Sequence, residues 1–349
     1  MLTKNGPPLQ WGLIVTGAIT IDSFGINYVP GNMWVGEKED SPEQRKAFLD
    51  LAKAVHRQNG TLIGQVTNFE DQVSYFAADR GDVSHLSRTV YAAKYLVESE
   101  FDGIELSVLE AAKTKDGKPD VAKVCELIDF SKSTIRSALK LQKAENLIFG
   151  IKVSTARVQH AGYDFTDIIK ILQQAEASGY DYVSVAGGSY EFPISAAEDR
   201  ESLYRQVIRE CRKYIGQNIA VYGNGGFRSV PIIDELIESG KLDGIAMTKP
   251  ACGEFDLPIK LIENGMKAAK PNPFELDDLS SVLAGAAQIN QAGSKSLAES
   301  NRKINDGVMD LNNAETMKLF LIAKEEFLRR KQKLKDEGRL LPGVITLLV

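Results

Sequence analysis

The chain has 349 residues, with 42 Lys and Arg against 47 Asp and Glu for a formal net charge of -5. That balance lacks the basic footprint of a nucleic-acid binder, and the length suits either one barrel-sized α/β domain or two modest domains. Three scattered cysteines (Cys125, Cys211, Cys252) form neither a disulfide framework nor a zinc spacing, and the three histidines (His56, His85, His160) form no H-x-x-x-H pair; no metal site is expected, and a reducing, cytoplasmic compartment is.

The first ten residues, "MLTKNGPPLQ", are polar and hold two prolines, unlike a signal peptide. No apolar run reaches the ~20 residues that span a bilayer, so no membrane partner is expected. From residue 12 onward, short β-branched runs recur. The first is "GLIVTGAI" (12–19). A helix follows, capped by Ser41 with Pro42 at its first position and Gln44 closing a capping box; Phe48, Leu51, Ala52 and Val55 form its apolar face, and Gly60 ends it. The next runs are "LIGQV" (62–66), "GIELS" (103–107) and "FGIKVS" (149–154). A helix from a Thr166 cap to Gly179 leads to "YVSVAGG" (182–188). Then come "IAVYG" (219–223), a helix stopping at Gly240, and "GIAMT" (244–248). Continuous apolarity over about five residues suits strands buried on both faces of a parallel sheet. The connectors "ESEFDG", "ASGYDY" and "SGKLDG" are of one kind, as a βα repeat requires.

The sixth run passes at once into Gly223-Asn224-Gly225-Gly226, with the cation Arg228 close behind. Clustered glycines let backbone N–H groups cradle a phosphate, although a tight turn holding nothing gives the same pattern. A phosphate loop so late in the chain is a barrel habit, whereas an open doubly wound sheet, the competing architecture, places it early. The expected fold is therefore an α/β, (β/α)8 TIM-type barrel. Seven runs are present where eight are needed, so the first strand is lacking or rearranged. One domain is expected, with the barrel over about 10–290 and a helical extension over about 291–349. The tail "LLPGVITLLV" reads as a loose end, a docking strand or a contact between copies in a homo-oligomer.

The ordered set "WGLIVTGAITID", "FDGIEL", "FGIKVS", "VAGGSYE", "GNGGFRS" and "DLPIKLIENG" resembles the old yellow enzyme, or NADH:flavin oxidoreductase, family over roughly residues 10 to 290. The resemblance implies a barrel with FMN at the C-terminal ends of the strands, reduced by NADH or NADPH and passing hydride to a small-molecule substrate. It implies that Gln65 contacts the isoalloxazine edge and that Ala18 makes a backbone contact to the flavin. Lys152 would lie against the N1/C2 edge, where a cation stabilises the anionic reduced ring. Gly225 and Gly226 would donate to the phosphate, and Thr248 and Lys249 stand where the family has Gly-Arg; lysine keeps the charge and loses the planar fork.

The chemical half departs from the pattern. Ser107 and Glu110 occupy the positions of the family's substrate-binding His-x-x-His or His-x-x-Asn pair, and Ala112 that of its proton-donating tyrosine. Serine is a weak donor, an ionised glutamate only accepts, and alanine offers nothing. The loop after the second run reads "NFEDQ", bringing Glu70 and Asp71, and the one after the third is shortened to "KTKDGKPD". The family's first strand has no counterpart, as in a truncated gene. The expectation is an FMN enzyme with an altered or degenerate active site, Glu110 and Ser107 being its candidate catalytic residues. A flavin-free barrel with a non-redox or binding role is the alternative.

Overall fold

The structure is a computed structural model and describes residues 11–21, 31–38, 40–67, 83–108, 112–114, 116–139, 146–187, 198–271, 273–274, 278–296, 298–300, 303–339 and 343–347. Each of the seven apolar runs forms a strand position. The strands are β1 (Leu13–Val15), β2 (Ile19–Thr20), β3 (Thr61–Thr67), β4 (Gly103–Val108), β5 (Ile148–Ser154), β6 (Tyr182–Ala186), β7 (Ala220–Asn224) and β8 (Gly244–Ala246). They form one sheet in the order β1-β3-β4-β5-β6-β7-β8, with β2 also on β3, and every ladder is parallel. Helices run between successive strands, giving the parallel α/β barrel wall that the repeat implies. Among the described residues no ladder joins β8 to β1. Trp11 Nε1 donates to the carbonyl of Phe255 at 3.3 Å, tying the chain just before β1 to the segment just after β8.

β1 and β2 share one position in the wall. Val15 pairs with Ile63 and Ile19 with Val66, so four steps on one side match three on the other. The extra residue is a β-bulge across Thr16-Gly17-Ala18. Thr16 fills the interrupted ladder, its N–H donating to Ile63 O and its Oγ1 accepting from the Gln65 N–H, both at 3.0 Å. The free edge of β2 is taken by residues 33–35: Thr20 N–H donates to Met33 O at 3.0 Å and Val35 N–H to Thr20 O at 2.8 Å.

One device closes the repeats. After four helices the chain turns through a left-handed residue, Asn59 (φ 54°), Glu100 (φ 64°), Gly179 (φ 71°) or Gly240 (φ 67°). The next N–H reaches back five residues to a helix carbonyl: Gly60 to Val55, Phe101 to Leu96, Tyr180 to Ala175 and Lys241 to Leu236. These are Schellman caps. Asn59, not the expected Gly60, takes the left-handed turn; Gly60 is needed for closeness, since a Cβ there would lie 2.8 Å from Val55 Cγ1. In the three quoted connectors an aspartate then clasps the preceding strand. Asp102 accepts from Leu62 N–H, Asp181 from Phe149 N–H and Asp243 from Val221 N–H, each at 2.7 Å. Each aspartate's own N–H donates to the carbonyl of that same strand residue.

Two expected caps differ in detail. The helix Phe165–Ala177 is capped by Asp164, not Thr166, because Asp164 and Asp167 satisfy each other's N–H groups in a full capping box. Ser41 caps Pro42–His56 as expected, but the Gln44 side chain donates to Trp34 O at 2.7 Å instead of closing a box.

Alternation sorts the strands into two faces. Leu62, Val66, Ile104, Leu106, Phe149, Ile151, Val153, Val183, Val185, Val221 and Ile245 face outward and share one core with helix residues such as Leu96, Ile128, Ile168 and Leu172. Each such side chain contributes about 1.5–3 kcal/mol. A second cluster gathers Phe274, Leu283, Ala287, Met309, Phe320 and Ile345. The C-terminal tail thus docks on the helix Asp278–Gly293 as irregular chain, with Gln291 Nε2 donating to Leu347 O at 3.1 Å. No helix among the described residues is long and apolar enough to cross a membrane.

Candidate functional site

The inward faces of the strands are polar. Register aligns Gln65, Glu105, Gly150 and Tyr182 as one row across β3, β4, β5 and β6. Two residues on, toward the C-terminal mouth, a second row runs Ser107, Lys152, Ser184, Tyr222. Thr67, two residues beyond Gln65, brings β3 to that level with Thr20 beside it. Among the described residues of these rows, the side chains at this depth are mostly hydroxyl, with one ammonium.

The lower row is a closed network. Gln65 Nε2 donates to Glu105 Oε1 at 2.5 Å, and Tyr182 Oη donates to Glu105 Oε2 at 3.0 Å. Glu105 is 1 % exposed. Burial pushes its carboxyl above the usual carboxylate range, while Lys152, Gln65 and Tyr182 pull it back. Burial, then the charge of Glu105, holds the Tyr182 phenol well above its ordinary value. Only glycine fits between them at 150: a Cβ there would fall 2.0 Å from Tyr182 Cζ.

The upper row is less fully paired. Thr20 and Thr67 at its level, and Ser154 one step above it on β5, are 2–5 % exposed, and their hydroxyl oxygens have no partner among the described residues. Such groups are costly when left unpaired. Lys152 is partly exposed and makes no ion pair with any described residue.

Gln65, Ser107 and Lys152 therefore come together on the inner wall, with Ala18 in the bulge beside β3. Gly225 and Gly226 follow β7, and Thr248 and Lys249 follow β8, at neighbouring strand ends because Asn224 pairs with Ala246. Gly225 (φ 136°) and Gly226 (φ 69°) both need glycine's freedom, and a Cβ at 226 would meet nothing within 4 Å. Arg228 Nη1 donates to Lys270 O. Glu110, Glu70 and Asp71 lie outside the described residues. Ala112 is 1 % exposed and part of the hydrophobic core, and its carbonyl accepts from Tyr163 Oη at 2.6 Å. A tyrosine could not replace it there without displacing that packing. Sequence reasoning missed Glu105, Tyr182, Thr20 and Thr67. Their signal was the inward phase of each run, where polar residues alternate with the apolar ones that mark the strand.

No protein-family model matches the chain. Solved structures do. An old yellow enzyme homologue from Zymomonas mobilis aligns at 14 % identity, TM-score 0.54, over 77 % of this chain and 86 % of its own. TcOYE with pHBA aligns at 15 % identity, TM-score 0.55, over 76 % and 82 %. Morphinone reductase in complex with tetrahydroNAD aligns at 11 % identity, TM-score 0.55, over 77 % and 82 %. The chain thus has the α/β TIM-barrel fold found in old yellow enzyme homologues.

Proposed function

We propose that this protein is an FMN-dependent oxidoreductase of the old yellow enzyme type, reduced by NADH or NADPH, with an altered substrate side. The observation that carries the reading is the hydroxyl-and-lysine row inside the barrel mouth, with the buried hydroxyls of Thr20 and Thr67 beside it and of Ser154 one step above it lacking a partner among the described residues. The likeness of fold to old yellow enzyme homologues, one of them in complex with tetrahydroNAD, supports the cofactor and the reductant.

The residues present fit FMN. Gln65 and the backbone at Ala18 would meet the ring edge, and Lys152 would offset negative charge on the reduced ring. Gly225, Gly226, Thr248 and Lys249 would hold the phosphate at the ends of β7 and β8, where barrels commonly bind it. Bound FMN would supply reversible hydride acceptance. Ser107 offers the substrate one weak donor on this wall, so simple enones should turn over poorly. Losing one oxyanion-stabilising donor costs about 2.7–4 kcal/mol. Glu110, if it is the working acid, must be held protonated.

The test is anaerobic. Purified protein is titrated with FMN, then mixed with each reduced nicotinamide while the flavin absorbance is followed. Binding, bleaching by a nicotinamide and about tenfold weaker FMN binding in Lys249→Ala are expected, since a charge-assisted bond to phosphate contributes about 1.5–3 kcal/mol. Absence of FMN binding to the wild type at high concentration would remove the cofactor reading and leave a flavin-free binding barrel.

A further inference from the structure

The carboxylate of Glu105 lies beneath the candidate site and is the shared acceptor for two side chains from different strands. Gln65 Nε2 and Tyr182 Oη each spend a hydrogen on it. Gln65 is 9 % exposed, and its Oε1 accepts from no described residue. A side-chain amide with its nitrogen tied down must present its oxygen elsewhere. The geometry points to Glu105 as the positioning residue of the mouth: by holding the Gln65 nitrogen, it makes Gln65 an acceptor that selects a ligand bearing a ring N–H. This deepens the cofactor reading and rests on it, because the isoalloxazine ring carries one such N–H, at N3 between two carbonyls.

The coupling runs through the proton. An ionised Glu105 only accepts, which fixes the amide nitrogen toward it. A protonated Glu105 can donate to the amide oxygen instead, and the amide then turns its NH2 outward. The groups that bear on this balance are Lys152 on β5, Asp181 just before β6, Tyr182 on β6 and, behind Tyr182, Tyr222 on β7; β3 contributes the neutral Gln65. Burial raises the proton affinity of Glu105, and Lys152 lowers it.

Two measurements test the assignment. In the ligand-free protein with 15N-labelled glutamine, the Gln65 side-chain amide, identified by its loss in Gln65→Leu, should show one proton shifted by the carboxylate. That shift should disappear in Glu105→Ala and in Glu105→Gln, and on acidification of the wild type. Binding of FMN and of N3-methyl-FMN is then compared. The wild type should prefer FMN by about tenfold, the cost of one acceptor left unpaired. The preference should fall below about twofold in Glu105→Met, which keeps the length of the side chain and offers the Gln65 amide no oxygen, should Glu105→Ala fail to fold. Equal affinity of the wild type for the two flavins, or a preference unchanged in Glu105→Met, overturns the assignment. If neither flavin binds the wild type, the cofactor reading falls and the amide resonance alone decides: a resonance moved by the substitutions upholds Glu105 as positioning residue, and one unmoved overturns it.

Discussion

Gly150→Ala should be among the most damaging single-methyl additions to this protein. The new Cβ would sit 2.0 Å from Tyr182 Cζ and 2.4 Å from its Oη, well inside contact distance. Tyr182 cannot simply yield. It is 2 % exposed, and its ring meets that of Tyr222 edge-on at 5.4 Å between centroids. Relief requires the ring to lift off Glu105, which breaks the 3.0 Å hydrogen bond and leaves a buried carboxyl one donor short. Overpacking costs about 1–3 kcal/mol, and a hydrogen bond to a charged group about 1.5–3 kcal/mol, so the sum is about 2.5–6 kcal/mol. That is a large share of the roughly 5–15 kcal/mol that holds a domain folded. Urea unfolding followed by intrinsic fluorescence measures it. In a Tyr182→Ala background the added methyl enters vacated space, so the coupling in a double-mutant cycle should be at least about 2 kcal/mol. A Gly150→Ala protein within about 0.5 kcal/mol of wild type, or the same cost in both backgrounds, would refute the reasoning.

Asp181→Ala should destabilise by about 1–3 kcal/mol, because it strips the buried Phe149 N–H of its 2.7 Å acceptor; Asp181→Asn, which keeps an acceptor oxygen, should recover part of the loss in the same unfolding assay. Glu100→Gly should stabilise by up to about 1 kcal/mol, since Glu100 holds φ 64° where the corresponding turns use Gly179 and Gly240, and an unchanged or lowered melting midpoint would count against it. Glu105, whose folded-state affinity for a proton is raised above the ordinary 4.5, binds protons more readily folded than unfolded, so its contribution to stability is full below that value and is lost as pH rises through the folded pKa. The stability of wild type relative to Glu105→Gln should therefore improve as pH falls from neutrality toward about 4.5, and a flat difference would refute it.

The wall of the barrel was legible because its outward face is written in consecutive β-branched residues: "FGIKVS" and "YVSVAGG" alternate Phe149, Ile151, Val153 and Val183, Val185 with inward groups. Lys152 and Gln65 were singled out only through the family resemblance, and the strand register sets both on the inner wall. Glu105 could not, because its meaning depends on partners 40 and 77 residues away, which only the strand register brings together. Local competition explains the smaller differences. Asp164 outcompetes Thr166 as a cap by reciprocal bonding with Asp167, and Asn59, one residue before the helix-ending Gly60, takes the left-handed turn. Position 112 reads as an empty catalytic slot in the sequence, and in the structure Ala112 is a core residue whose carbonyl accepts from Tyr163 Oη.

The aspartate clasps bear on how such a wall is assembled. They join residues only 40, 32 and 22 positions apart in a chain of 349, that is 22/349 to 40/349, or about 0.06 to 0.11 of its length. Separations that short are typical of fast-folding helical proteins rather than of sheets. As they leave the ribosome, β4, β6 and β8 can each be fastened to the strand before it without waiting for the ends of the chain to meet. The nascent wall then grows from clasped strand pairs, and contact between the first and last strands is left as a late, separable event.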